Sequence, residues 1–443
     1  MTTGHPNPQQ VSTLAALCTQ GRFAEAEPLA RALTVHFASD WFGWNALGAA
    51  LVHLGRPADA LESMQRAVLL APTEAAVHNN LGNTLRELGR LDEAEASYGR
   101  ALQLKPDYAE AHNNLGNTVQ ELGRMDDAEA SFRRAVELRP DFTAALTSLG
   151  NTLSCTGNLD AAVVCFRKTL ALKPDHAPAL FGLHALLLNA DDMAPSIECL
   201  ERAVASDPAN EAGRFFLGMM LDYSGNPAAA AVHLQIAAQG SPGNRDRLDA
   251  WRYIQSASRK LPMSGSAIQT FKLAIDAAAP DGLVLEFGVS FGTSIRQIAA
   301  LVAEDVHGFD SFEGLPDAWL TNPAGSYTTK GVLPDVPDNV ILHAGWFADT
   351  LPGFLDEFSG PVRFMNIDCD LYRSTRTVLE LLGERIIPGT VIVFDEYIGN
   401  ARWREDEFRA FQEAVVSYGW TYEYLCFSFV TKQVAVRILA GIL

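Results

Sequence analysis

The sequence predicts an α-solenoid of helix pairs followed by an α/β doubly wound domain, on three observations. Prolines recur every 34 residues at Pro72, Pro106, Pro140, Pro174, Pro208 and Pro242. Beyond them, short apolar runs alternate with helical stretches. At 443 residues and 48% hydrophobic, the chain can fill more than one core.

The repeats come first. Reading back from each proline, Leu47-Gly48, Leu81-Gly82, Leu115-Gly116, Leu149-Gly150 and Leu217-Gly218 hold one position, and Ala60, Ala94, Ala128, Ala162 and Ala230 another. A bulky residue holds a third, at Met64, Tyr98, Phe132, Phe166, Leu200 and Leu234. The glycine of the first helix and the alanine of the second admit close neighbours, and the proline ends the second helix. One pair cannot bury its apolar face alone, so pairs stack into a superhelix with a concave groove. These six units, Trp41 to about Asn244, resemble the tetratricopeptide repeat. A degenerate seventh over residues 7–40 precedes them, since Gly21-Arg22 and Ala26 stand 34 residues before Gly55-Arg56 and Ala60. The fifth unit departs, with His184 in place of glycine and Ser196 in place of alanine, which predicts local loosening or a bend. Asn79 with Asn83, Asn113 with Asn117, and Thr147 with Asn151 are i, i+4 pairs, each sharing a helix face. Repeated, they form either an amide ladder able to bind a peptide backbone or a row of ordinary wet polar positions.

Loop composition from Gly240 to Asp246 marks a boundary. Connecting helices, about Asp246 to Arg259 and Ser264 to Ala279, fill residues 245–280, and the second domain runs over 281–443. Its apolar runs are Leu283 to Phe287, Val306 to Phe309, Val340 to His343, Arg363 to Ile367 and Thr390 to Phe394. Such alternation implies βαβ units and a parallel sheet, with ligands at the carboxyl ends of its strands. The first run leads through Glu286, Gly288 and Gly292 into a helix, where glycines let a ligand approach the backbone and the helix start offers free amides. Neither G-x-G-x-x-G nor G-x-x-x-x-G-K-[ST] occurs there, which disfavours dinucleotide and nucleoside-triphosphate binding. The second run ends at Asp310, an acid suited to ribose hydroxyls. Asp368, Asp370, Asp395 and Glu396 end later runs. Acids at consecutive strand ends converge, and their hard oxygens suit magnesium; the structural alternative is helix capping and solvation.

Four further motifs follow in order: Phe309-Asp-Ser-Phe-Glu-Gly-Leu-Pro316, Gly345-Trp-Phe-Ala-Asp-Thr-Leu-Pro352, Ile367-Asp-Cys-Asp-Leu-Tyr-Arg-Ser-Thr375 and Val393-Phe-Asp-Glu-Tyr397. Together they resemble the class I S-adenosylmethionine-dependent methyltransferases, with a Rossmann-like fold, and more closely the macrocin O-methyltransferase family, over about Asp281 to Leu443. The resemblance implies S-adenosylmethionine held by Glu286, Gly288 and Gly292 at its methionine end and by Asp310 at its ribose. Trp346 or Phe347 would cover the adenine, unless that aromatic belongs to the core. It implies a magnesium ion on Asp368, Asp395 and Glu396, the last standing where the family often has Asp. Catalytic roles fall to Asp368, with His343 and Asp370 as candidate bases. Arg404 and Glu407 read as surface charge or as the acceptor mouth.

The implied activity is O-methylation of a hydroxyl on a sugar or glycosylated natural-product acceptor, with the array recognising protein, peptide or substrate. Two other functions compete: a glycosyltransferase using Asp368-Cys369-Asp370 as its metal site, and a non-enzymatic scaffold. The Glu286 to Gly292 turn ahead of Asp310 favours the methyl donor. A formal charge of −19, from 34 basic and 53 acidic residues, lacks the basic footprint that nucleic acid or an anionic membrane requires. Six cysteines without a C-x-x-C pair read as reduced thiols of a cytoplasmic protein. Neither a signal peptide nor a membrane span is expected.

Overall fold

The computed structural model describes residues 4–189, 191–257 and 260–441. They pack as two compact units, the first ending at Leu149 and the second beginning at Gly150. The ends expected at Arg259 and Leu443 lie outside the described residues.

The first unit is built of helix pairs: α1 (Pro8–Thr19) with α2 (Phe23–His36), α3 (Trp41–His53) with α4 (Pro57–Leu70), α5 (Ala75–Glu87) with α6 (Leu91–Leu104), α7 (Ala109–Glu121) with α8 (Met125–Leu138), then the start of α9 (Thr143–Cys155). Each repeat glycine lies under its bulky partner sixteen residues on. A methyl group on Gly82 would stand 2.6 Å from the Tyr98 ring, and one on Gly116 would stand 2.7 Å from Phe132. The amides do form a ladder, one residue out of the expected register. Asn80 donates to Asn45 at 3.0 Å, Asn79 to Asn80 at 3.2 Å, and Asn114 to both Asn79 and Asn83 at 3.0 Å. The Tyr98 hydroxyl closes on Asn83 at 2.7 Å. These amides bond one repeat to the next, while Asn113 keeps a buried Oδ1 without a hydrogen-bond partner.

The second unit continues with α10 (Leu159–Leu172), α11 (Ala177–Leu186), α12 (Ala194–Ser206), α13 (Glu211–Tyr223), α14 (Pro227–Gln239), α15 (Pro242–Ala257) and α16 (Ala267–Ala277). The departures of the fifth unit have a packing reason. Its first helix, α11, has 10 residues where α13 has 13. Beyond its core-facing turn, backbone meets backbone: a methyl group on Gly265 would stand 1.8 Å from the Ala185 carbonyl oxygen. His184 is buried, and the Ser196 hydroxyl donates to its carbonyl at 2.9 Å. At this unit the segment before α16 lies backbone to backbone against the end of α11.

The sheet strands are β1 (Leu283–Phe287), β2 (Val306–Asp310), β3 (Val340–Ala344), β4 (Val362–Ile367), β5 (Ile386–Phe394), β6 (Thr421–Phe427) and β7 (Val434–Ala440). Their order is β3-β2-β1-β4-β5-β7-β6. The first five are parallel, and β7 lies antiparallel between β5 and β6. Helices α17 (Thr293–Ala299), α18 (Phe347–Glu357), α19 (Tyr372–Leu382) and α20 (Glu407–Tyr418) complete the fold. One apolar core joins Leu200, Phe215 and Trp251 of the helical part to Phe287, Ile367, Phe394 and Phe427 of the sheet. Phe215 packs on Phe429 with ring centroids 5.5 Å apart, and the Tyr253 hydroxyl lies 2.7 Å from that of Tyr424. Among the described residues no helix is long and apolar enough to cross a membrane.

Candidate active site

The parallel ladder runs one step past the strands, and that step builds the site. Gly345 N donates to Asp310 O at 2.9 Å, Gly288 N to Phe309 O at 2.9 Å, Asp368 N to Phe287 O at 2.8 Å and Asp395 N to Ile367 O at 3.0 Å. In sheet order, Gly345, Asp310, Gly288, Asp368 and Asp395 therefore stand side by side on the carboxyl rim, the edge where a doubly wound sheet takes its ligand. Over them lies a cavity of about 300 Å³.

One half of its wall is Gly288, Ser290, Asp310, Trp346 and Phe347. Gly288 has φ +93, and its Cα lies so close to the Asp368 carbonyl that no side chain fits. Asp310 accepts backbone N–H groups from Ser290 at 2.8 Å and Phe312 at 2.6 Å, which fixes its carboxylate at the rim. Phe347 sets its ring edge-on to Phe287 at 5.5 Å, whereas Trp346 is 41% exposed at the mouth.

The other half is acidic: Asp368, Asp370, Asp395 and Glu396. Burial, then Asp395 and Asp370, hold the Asp368 carboxyl well above the usual carboxylate range. Burial followed by Glu396 pushes both Asp370 and Asp395 up to about 7. Burial also raises Glu396, against the pull of Lys432. Asp370 sits at φ +57, a strained backbone of the kind that concentrates at functional sites.

Not every expected residue reaches the cavity. Glu286 is buried beneath the rim, where Asn366 donates to its Oε1 at 2.9 Å, its Oε2 has no hydrogen-bond partner, and burial pushes its carboxyl up to about 8. Gly292, the cap before α17, sits at φ +79 and packs against Pro334, away from the lining. His343 also lies away from it: its ring stacks on Phe309 at 4.5 Å and meets His307 Nδ1 at 3.1 Å.

Two polar residues, Lys432 and Gln433, were missed in the sequence, and a third, Glu407, reads there as surface charge or acceptor mouth. Glu407 is fully buried; it accepts the Glu396 N–H at 3.1 Å, and its Oε1 has no hydrogen-bond partner, so surface charge is the wrong description. Gln433 donates to Asp395 Oδ1 at 2.6 Å, and Lys432 Nζ lies 2.9 Å from Glu396 Oε1. No local motif marks Lys432 and Gln433; the pairing of β7 with β5 brings them in, while Glu407 arrives at the start of α20. Among the described residues, no group of three or more His, Cys, Asp or Glu side chains stands arranged to hold a metal ion. Part of the reason is visible, since Glu396 is turned to Lys432 and to Asn400, which donates to Oε2 at 3.2 Å.

Comparison with known proteins agrees with both parts of the fold. Family models described as tetratricopeptide or TPR repeat match residues 16–75, 82–123, 109–142 and 143–173, and one described as methyltransferase domain matches 285–397. The 8-demethyl-8-(2,3-dimethoxy-alpha-L-rhamnosyl)-tetracenomycin-C 4'-O-methyltransferase of Streptomyces olivaceus is 31% identical over 159 residues, 29% of this chain and 59% of that protein. The chain thus spans about three fifths of that curated relative's length. Solved structures similar to the chain include PilF of Pseudomonas aeruginosa, at 18% identity and TM-score 0.44 over 49% of this chain and 97% of that one. YrrB, titled a TPR protein with an unusual peptide-binding site, is 21% identical with TM-score 0.34, over 42% of this chain and 95% of that one. The chain carries tetratricopeptide repeats in its first half and a methyltransferase domain in its second.

Proposed function

We propose that this protein is a magnesium-assisted, S-adenosylmethionine-dependent O-methyltransferase of the macrocin type, acting in the cytoplasm on a hydroxyl of a sugar or glycosylated acceptor. The observation that carries it is a single cavity with a glycine-floored rim on one side and four acids on the other. The bare backbone of Gly288 fits a donor that must lie against the sheet, and Asp310 has oxygens to offer a ribose. The acidic half fits a hard divalent ion in kind: the carboxylates crowd and repel, and buried Glu407 Oε1 has no hydrogen-bond partner beside them.

Bound S-adenosylmethionine supplies an activated sulfonium methyl, and a bound magnesium ion supplies a Lewis acid that lowers the pKa of an acceptor hydroxyl. Gly288, Asp310, Trp346 and Phe347 hold and orient the donor, with Glu286 and Gly292 shaping the turn behind it. Asp368, Asp395 and Glu396 would hold the ion, and Asp370 beside them would take the hydroxyl proton. The 31% identity to an enzyme named for 4'-O-methylation of a rhamnosyl tetracenomycin supports a sugar hydroxyl as acceptor. The repeat array recognises a protein, peptide or extended part of the acceptor.

Calorimetry tests the reaction class: binding of S-adenosylmethionine and not of nucleotide sugars is expected, and the converse refutes methyl transfer. Asp368→Ala and Asp395→Ala are expected to lose turnover while keeping donor affinity. Full turnover in excess chelator would refute the ion.

A further inference from the structure

Building on the magnesium reading, we propose that Lys432 is a tethered competitor of the divalent ion, holding Glu396 until the ion displaces it. The sheet dictates the placement. Val434 of β7 pairs with Phe394 of β5 in antiparallel register. One step past the strand ends sets Gln433 beside Asp395, and the next sets Lys432 beside Glu396, as their side-chain contacts at 2.6 Å and 2.9 Å show. Two adjacent residues of one turn therefore engage two adjacent acids of the strand end.

The two contacts differ in what an ion would have to undo. Gln433 is buried; it accepts from the Thr431 hydroxyl at 2.9 Å, its carbonyl accepts from Ser428 N at 2.8 Å, and it leaves Asp395 Oδ2 uncommitted by its own contact. Lys432 is a full positive charge on a carboxylate proposed as an ion ligand. An ammonium and a divalent cation repel strongly at bonding distances in a partly buried site, so the two exclude one another at Glu396. The lysine side chain is 39% exposed and has solvent to move into. Its backbone does not follow: the Lys432 carbonyl accepts from Ile398 N at 3.3 Å, and Phe429 of the same turn is seated on Phe215 and Trp251. Loading the ion is thus a side-chain swing on a fixed turn. Without the ion, the ammonium offsets the repulsion among Asp370, Asp395 and Glu396.

The test is a calorimetric titration of the full chain with magnesium chloride, for wild type, Lys432→Met and Lys432→Arg, with S-adenosylmethionine affinity measured for each. Lys432→Met is expected to bind magnesium roughly fivefold tighter or more, the worth of one ion pair, and Lys432→Arg to stay near wild type. Magnesium binding by wild type with equal or weaker binding by Lys432→Met overturns the competition and leaves the ion site standing. Binding by neither chain overturns the ion site and the competition with it; retained donor affinity then preserves the methyltransferase reading. A second measurement needs no variant: magnesium is expected to speed acetylation of Lys432 in the wild-type chain, read by mass spectrometry, and an unchanged rate overturns the displacement.

Discussion

Gly288 and Asp368 touch backbone to backbone: a methyl group on the glycine would stand 1.8 Å from the aspartate carbonyl oxygen. The floor of the cavity is therefore the contact of two strand ends, β1 and β4, with no side chain between them. Gly288→Ala must separate the strands and also hold φ +93. A loss of about 2–5 kcal/mol is expected from overpacking and backbone strain combined. Denaturant unfolding measures it, and a variant as stable as wild type that keeps its donor affinity would refute the contact.

Asp370 and Asp395 bind their protons up to about pH 7 in the folded chain, chiefly because they are buried and then because acids adjoin them. Unfolded, both titrate near about 4. Between these values the folded state holds protons that the unfolded state has released, so their contribution to stability is full below about pH 4 and is lost as pH rises through about 7. A divalent ion binds only the deprotonated acids. The rise in melting temperature on adding magnesium should grow from pH 6 to pH 8 and shrink in Asp395→Asn. An increment independent of pH would count against the coupling.

His343 belongs to an aromatic packing cluster on the β3 side, stacked on Phe309 and edge-on to Phe354 at 5.3 Å. His343→Leu is expected to leave the pH dependence of turnover unchanged and to cost about 1 kcal/mol of stability through lost ring packing. A displaced pH profile would return the histidine to the chemistry.

Because the second unit begins at Gly150, the sheet shares its core with α11 to α15. A chain starting at Gly150 should melt cooperatively and bind S-adenosylmethionine. One starting at Asp246, where the repeat period ends, exposes Phe427 and Phe429 and should aggregate or bind a hydrophobic dye. Equal melting of the two truncations would show that the repeats contribute nothing to the sheet's core.

Local pattern made the repeats and the sheet legible. The 34-residue period located the helix pairs, and the apolar run Leu283 to Phe287 coincides with β1. Acids at strand ends were legible because a parallel sheet brings its carboxyl ends to one rim. Glu407, Lys432 and Gln433 were not, because their places depend on how a helix start and an antiparallel strand meet β5, a matter of register between segments far apart in the chain. His184 could not be placed from the repeat pattern for a like reason: its ring packs on Phe216 of α13, in the next unit. For the amides, spacing chose Asn79 and Asn83, which accept in the ladder, but not the donors between repeats, Asn80 and Asn114.

Solenoids grow and shrink by duplication wherever a unit's neighbours are copies of itself, since any copy then offers the right surface. The turn that holds Phe429 against Phe215 gives the sixth unit a neighbour that is no copy. A duplicate inserted there would present a repeat-shaped face to a ring meant to seat a strand turn, and would unseat Lys432 and Gln433 with it. Array length is thus free to vary only upstream of the docked units, so the catalytic sheet fixes the end from which the solenoid can be counted.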